Sequence, residues 1–239
     1  MTFRDIERII LYEDNHFLVV NKPAGILVQG DRTNDETLPD YVKEFIRLRD
    51  EKPGNVFLGV THRLDRPSTG VLVFAKTSKA LSRMNELFRE RKVKKTYYIL
   101  TENAPDSFSG RLEHFVRKDE AKNRLIVKDV PFKKAKKAKK AVLEYQLVAN
   151  IDGFFLFEVQ LHTGRSHQIR AQFAHVGCPV VGDRRYGSRF QSGERLYLHS
   201  GQIFFEHPVK RTPLRIRAPF PKGGRWDLFW DFKLEQKRE

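Results

Sequence analysis

His62-Arg63-Leu64-Asp65-Arg66-Pro67-Ser68-Thr69-Gly70 runs directly into Val71-Leu72-Val73-Phe74-Ala75. One acid lies between two arginines. The chain then turns through Pro67 and Gly70 into a continuous apolar run. A short apolar run bounded by turn residues reads as a buried strand. The flanking cations favour an ionised carboxylate, even one partly withdrawn from water. A charged carboxylate on a turn beside a rigid strand suits a nucleophile or general base. The same pattern also fits an Asp–Arg pair that merely braces the turn.

Outward from this stretch the chain alternates strands and helices without a regular rhythm. Phe17 to Val20 reads as a strand ending at Asn21-Lys22-Pro23. Thr37 to Arg49 places Leu38, Val42, Phe45 and Ile46 at helical spacing. After the apolar run, Thr77 or Ser78 caps a helix with Leu81, Met84, Leu87 and Phe88 on one face. Thr96 to Leu100, Ala141 to Val148 and Phe154 to Leu161 are β-branched, aromatic or alternating, hence strands, with Ile151-Asp152-Gly153 a hairpin-type turn. Thr163 or Ser166 is expected to cap a helix reaching Val176, with Gly177 as its stop and Ile169, Phe173 and Val176 as its buried stripe. Strands outnumber helices, which predicts α+β with a largely antiparallel sheet. One domain over residues 1–239 is expected, with its core at about 8–220.

Composition narrows the partners. The 239 residues hold 45 Lys+Arg against 30 Asp+Glu, a net charge of +15, which favours a polyanion such as nucleic acid. No apolar run of membrane-spanning length occurs, and Met1 to Arg8 lacks the apolar region of a signal peptide, so a cytoplasmic protein is expected. A single Cys178, beside Pro179 in an apolar stretch, excludes a disulfide framework or a Cys-cluster zinc site and reads as core. His162, His167 and His175 do not share one helix face, so no metal is expected. No phosphate-cradling glycine motif appears, so no nucleotide cofactor is expected either. The default expectation is a monomer. The densest charge block is Lys133-Lys134-Ala135-Lys136-Lys137-Ala138-Lys139-Lys140, read as a loop or hairpin tip. Lysines in such a block grip phosphates without reading sequence, and Lys136, Lys137, Lys139 and Lys140 are the candidate nucleic-acid contacts. A merely solubilising loop is the alternative.

About a hundred residues beyond Asp65 stands Thr163-Gly164-Arg165-Ser166-His167-Gln168-Ile169-Arg170, followed by His175-Val176-Gly177-Cys178-Pro179-Val180-Val181-Gly182-Asp183. With His62 to Gly70, this compound pattern resembles the RluA-type family of RNA pseudouridine synthases. Asn21-Lys22-Pro23-Ala24-Gly25, Lys95-Thr96-Tyr97, Asp183-Arg184-Arg185-Tyr186-Gly187 and Leu198-His199-Ser200 follow in the family's order. One departure is Ser68-Thr69 where the family usually has Thr-Ser, both hydroxyls. Many relatives carry a small S4-type RNA-binding domain ahead of the catalytic one, whereas this sequence starts almost directly with the catalytic part.

The resemblance implies a central bent sheet crossed by an active-site cleft, and RNA as the substrate, ribosomal or transfer. It implies Asp65 as the essential acid and Arg170 as its ion-pair partner. It also implies Tyr97 as the tyrosine that stacks on the target base, and Arg63 as the cation filling the space a flipped uridine leaves. Independently, Arg170 sits at the edge of the helix stripe, and a guanidinium fork matches a carboxylate bidentately. Tyr98 is expected on the opposite strand face from Tyr97. Arg66, Arg165 and His167 complete the candidate RNA-binding set, His167 as a hydrogen-bonding anchor of the cleft wall. The reaction implied is an isomerisation that needs no cofactor. A silent RNA-binding protein on the same fold is the alternative. A hydrolase would want a second carboxylate or a metal, which the sequence does not gather.

Overall fold

A computed structural model describes residues 1–31, 33–133, 137–190 and 195–230. Helix α1 (Phe3–Ile9) leads into β1 (Ile10–Glu13) and β2 (Phe17–Lys22). Helix α2 (Leu38–Arg49) and the short β3 (Gly59–Val60) precede β4 (Thr69–Ala75), α3 (Ser78–Arg89) and β5 (Lys94–Thr101). Then come β6 (Ser109–Asp119), β7 (Arg124–Lys128), β8 (Lys139–Ile151) and β9 (Phe154–Leu161). Helix α4 (Gln168–His175), β10 (Leu198–Glu206) and β11 (Pro213–Arg217) follow, with 3-10 turns at Arg184–Tyr186 and Gly224–Phe229.

The strands form one sheet in the order β1-β2-β4-β10-β5-β9-β8-β6-β7, with β11 on β10 and β3 on β4. Every ladder between named strands is antiparallel except β4 with β10, where Thr69 faces His199 and Gly70 faces Ser200. That joint occurs where the Asp65 turn delivers the chain into β4. Gly70 is required there. Its φ is +111°, and a β-carbon would lie 2.2 Å from the Ser200 carbonyl oxygen.

All seven residues of β4 are buried, because both faces of the sheet are covered here. On one face Leu72 and Phe74 join Leu18, Val20, Ile99, Phe157 and Val159 under Val42, Phe45 and Ile46 of α2 and Ile169 and Phe173 of α4. On the other, Val71, Val73 and Ala75 meet Ala80 and Met84 of α3 with Ile203 and Phe205 of β10. Each large side chain so buried contributes roughly 1.5–3 kcal/mol. In β9, Phe157 and Val159 pack toward α4 while Leu156 packs into a separate cluster with Trp226 and Phe229. Asp152 and Gly153 close the β8–β9 hairpin with positive φ values of 51° and 76°, as a tight primed turn requires.

Two expectations about elements need correction. Helix α4 is not capped by Thr163 or Ser166; it begins at Gln168 after His167, which is left-handed at φ 57°. Gln168 explains the delay. Its side-chain oxygen accepts from Thr163 Oγ1 at 2.8 Å and from Arg165 N at 3.0 Å, and its amide nitrogen donates to Val142 O. The approach loop is thereby tied to β8 rather than to a helix start. Second, Lys139 and Lys140 do not belong to a loop tip. They open β8, opposite Val116 and Phe115 of β6. No helix among the described residues is long and apolar enough to cross a membrane.

Candidate active site

Asp65 is held by the turn it belongs to. Ser68 N donates to Asp65 O at 3.0 Å, and Leu64 is sunk in the core. Beneath the turn lies Lys22, the last residue of β2, with no exposed surface. Its ammonium donates to the carbonyls of Pro23, Arg66 and Ser68 at 2.9, 3.0 and 2.8 Å. Burial lowers its pKa to about 7, against the opposing pull of the Asp65 charge. Gly25 N donates to Arg66 O, and Arg66 Nε returns a bond to Gly25 O, both at 2.9 Å. The Asn21-to-Gly25 segment is therefore a cradle for the Asp65 turn.

The far side of the turn is pinned by Leu198-His199-Ser200. Thr69 Oγ1 meets His199 Nδ1 at 2.8 Å, and His199 Nε2 reaches Ala218 O at 3.2 Å. With Nε2–H given to the carbonyl, Nδ1 accepts from the threonine. Burial lowers the His199 pKa to about 4, keeping the ring neutral.

Arg170 is 5% exposed, inside the molecule rather than at the boundary of the α4 stripe. Its Nη1 donates to Asp65 Oδ2 at 2.8 Å. The bidentate fork expected for Asp65 goes elsewhere. Nε and Nη2 grip the two oxygens of Asp183 at 2.6 and 2.9 Å. Burial opposes the Arg170 charge, but Asp183 and then Asp65 overcome it and hold the guanidinium more firmly protonated than usual. The ring of Tyr186 lies 5.3 Å from the guanidinium carbon. Tyr186 Oη accepts from Leu125 N at 2.7 Å and lies 3.3 Å from His167 Nδ1. The other ring nitrogen of His167, Nε2, lies 3.7 Å from Asp65 Oδ2.

Tyr97 faces Ser200 across the β5–β10 ladder and is buried in the cluster containing Ile169 and Phe173. Burial, and then the Asp65 charge, push its phenol well above the usual range. Tyr98 points the other way, donating to Glu158 at 3.0 Å and packing edge-on to Phe220. The alternation expected of the strand is observed.

The arginines that flank Asp65 in sequence do not bond it. Arg63 donates to Gln29 Oε1, and Arg66 pairs with Asp35 at 2.8 Å. Both are exposed. Arg63 lines an open hollow of about 490 Å³ with Val28, Gln29, Val60, Thr61 and His62. Arg165 Nε reaches Lys140 O at 3.3 Å. Lys140 itself is ion-paired with Glu113. Lys137 and Lys139 are exposed, and Lys136 lies outside the described residues. Asp183 and Tyr186 went without a role in the sequence reading, although both stood in a quoted motif. Their signal was the fixed three-residue spacing across a Gly-bounded turn.

The three histidines considered for a metal have separate partners. His162 meets Glu144 at 3.1 Å, His167 meets Tyr186, and His175 meets Asp129 at 3.0 Å. A different set gathers instead, His114 and His175 around Asp129. His114 Nδ1 faces the Gln172 amide nitrogen, which also donates to the Leu112 and Ala141 carbonyls. His114 Nε2 lies 3.5 Å from Asp129 Oδ1, and His175 Nε2 lies 3.0 Å from the same oxygen. Cys178 is 2% exposed, and burial raises its thiol to about 11. It is core, as read.

The sequence profile described as RNA pseudouridylate synthase matches residues 16–175, spanning Asp65, Tyr97 and Arg170. The chain belongs to the RNA pseudouridylate synthase family. Members are isomerases. The tRNA pseudouridine synthase C of Vibrio parahaemolyticus is 32% identical over 97% of this chain and 98% of its own length. The ribosomal large subunit pseudouridine synthase C of Buchnera aphidicola is 34% identical over 88% of this chain, which spans 66% of that relative's length. Human RNA Pseudouridylate Synthase Domain Containing 4 superposes with a TM-score of 0.76 at 25% identity, covering 92% of this chain and 91% of that one. The large, mostly antiparallel sheet with flanking helices is thus the pseudouridine synthase fold.

Proposed function

We propose that this chain converts uridine in a structured ribosomal or transfer RNA to pseudouridine, with Asp65 as the essential acid. The observation that carries the reading is the Asp183–Arg170–Asp65 array, which holds a partly exposed carboxylate through one oxygen beside the buried Tyr97. Among the described residues the other oxygen, Oδ1, has no hydrogen-bond partner, so it is open to a substrate. RNA docks on basic surface that includes Lys137 and Lys139, and the uridine leaves the helical stack. Arg63, exposed and planar, stacks in the vacated space. Arg66, Arg165, His167, Lys136 and Lys140 complete the RNA-facing set.

In the chemical step Asp65 initiates cleavage of the N1–C1′ bond, by addition to ribose or base or by taking a ribose proton. The detached uracil turns against Tyr97 and bonds through C5 to C1′. C5 then loses its proton while N1 takes one up, any bond formed to Asp65 breaks, and pseudouridine results. Atoms balance without an added group, so the reaction is an isomerisation. Relatives named for ribosomal RNA and for transfer RNA both resemble the chain, which supports either class of target.

Asp65→Asn keeps the size of the side chain and removes its charge. The expected result is loss of pseudouridine formation by at least about 1,000-fold, the scale on which removal of an essential group acts, with RNA affinity retained. Full turnover by the purified variant on a cellular RNA substrate would end the assignment.

A further inference from the structure

We propose that Asp183 is a positioning residue that divides the Arg170 guanidinium and thereby keeps Asp65 reactive. The proposal rests on Asp65 being the essential acid. Three observations carry it. Asp183 has no side-chain exposure and takes the Nε–Nη2 edge of Arg170 with both oxygens. Arg170 is left with a single Nη1 contact to Asp65. Asp183 is itself immobilised, since Oδ1 accepts from Tyr186 N at 3.3 Å and its carbonyl accepts from Ser188 N at 3.0 Å. The preceding Gly182 cannot be replaced without moving the turn, because a β-carbon there would lie 1.9 Å from Arg195 O.

The consequence is electrostatic as well as geometric. A guanidinium that gave both N–H groups of one edge to Asp65 would hold both carboxylate oxygens and neutralise them as a pair. With Asp183 on that edge, two negative charges share one positive charge. Asp65 is the more exposed of the two acids, at 23% against 0%. Around Asp65 stand Arg170 and His167 from the α4 region, Lys22 from β2, Tyr97 from β5, and Tyr186 with Asp183 from the turn after α4. Asp183 is the only other carboxylate among them.

Asp183→Asn tests this on the full chain with an RNA substrate. A misplaced reactive group costs about 100-fold in rate, so kcat per folded molecule is expected to fall by that order. KM should stay within about threefold, because the lost interaction acts on the reacting carboxylate rather than on binding. A merely structural role would lower the folded fraction and leave kcat per folded molecule unchanged. Because the buried guanidinium loses a partner, Asp183→Asn is also made in an Arg170→Lys background. If Asp183 acts through the Arg170 fork, it costs little further there. A kcat per folded molecule within about threefold of wild type overturns the proposal, as does a full independent loss in the Arg170→Lys background. Asp65→Asn run alongside separates the cases. An active Asp65→Asn removes the underlying reading, whereas an inactive Asp65→Asn beside an unaffected Asp183→Asn removes this inference alone.

Discussion

Lys22 carries no chemistry in the proposed reaction, yet the Asp65 turn depends on it. Burying an ammonium is costly, and it persists here because three carbonyls accept from it. Two of them, Arg66 and Ser68, belong to the turn that carries Asp65. Lys22→Met fills the space but leaves those carbonyls without a donor. Each orphaned acceptor costs about 1–3 kcal/mol, offset in part by no longer burying a charge. A net loss near 3 kcal/mol is expected in urea unfolding, with lower turnover at temperatures where the variant is folded. Stability within about 0.5 kcal/mol of wild type, the spread of neutral substitutions, would show that the cradle holds nothing. The role of this lysine was invisible in sequence because its partners are backbone carbonyls 44 and 46 residues away. The same limit applies to Arg170. Its contact with Asp65 followed from the motif, but the division of its fork depended on Asp183, whose approach no local spacing shows.

The β4–β10 joint makes a comparable demand on a pair of strands. Thr69 and Gly70 run parallel to His199 and Ser200, and no side chain fits between the backbones. Gly70→Ala is expected to destabilise the chain by several kcal/mol, since left-handed backbone at about 1–3 kcal/mol adds to a clash with main chain that has no rotamer to escape by. Thermal unfolding and the solubility of the variant measure it; an unchanged melting temperature would mean the joint opens freely. The strands and helices legible in sequence were those with an apolar period or a β-branched and aromatic run, namely β2, β4, β5, β8, β9, α2 and α3. Strand β6 was not, because Arg111, Glu113, Arg117 and Lys118 face solvent and only His114 and Val116 are buried. Strand β10 hides its pattern behind Gly201 and Gln202, where the β5 register shifts. Helix α4 was placed too early because the Thr163 and Ser166 hydroxyls look like caps. Gln168, a residue with no capping signature, decides the local hydrogen bonds instead.

The charge of the whole chain, +15, is uneven in a way that bears on RNA binding. The β6–β7 hairpin exposes Arg117, Lys118, Lys122, Arg124 and Lys128, and the lysine block follows at once in sequence. Within that block the lysines are not equivalent. Lys137, Lys139 and Lys140 are all exposed, but Lys140 is already matched with Glu113. Each phosphate neutralised releases counterion, so log affinity falls against log salt by roughly 0.7–0.9 per contact. Replacing Lys136, Lys137 and Lys139 by Gln should flatten that slope by up to about 2.7 units. Lys140→Gln alone should change it by less than half a unit, roughly, because a paired ammonium has less to give a phosphate. Titrations of several RNAs over a range of potassium chloride concentrations measure both. The weakening should be similar for all of them, and the uridine modified should stay the same, because phosphate contacts position an RNA without reading its bases. Turnover at saturating RNA should survive, since none of these lysines touches Asp65, Tyr97 or Arg170 among the described contacts. An unchanged slope in the triple variant would make the block a solubilising surface. A change in the modified uridine would make it part of target selection.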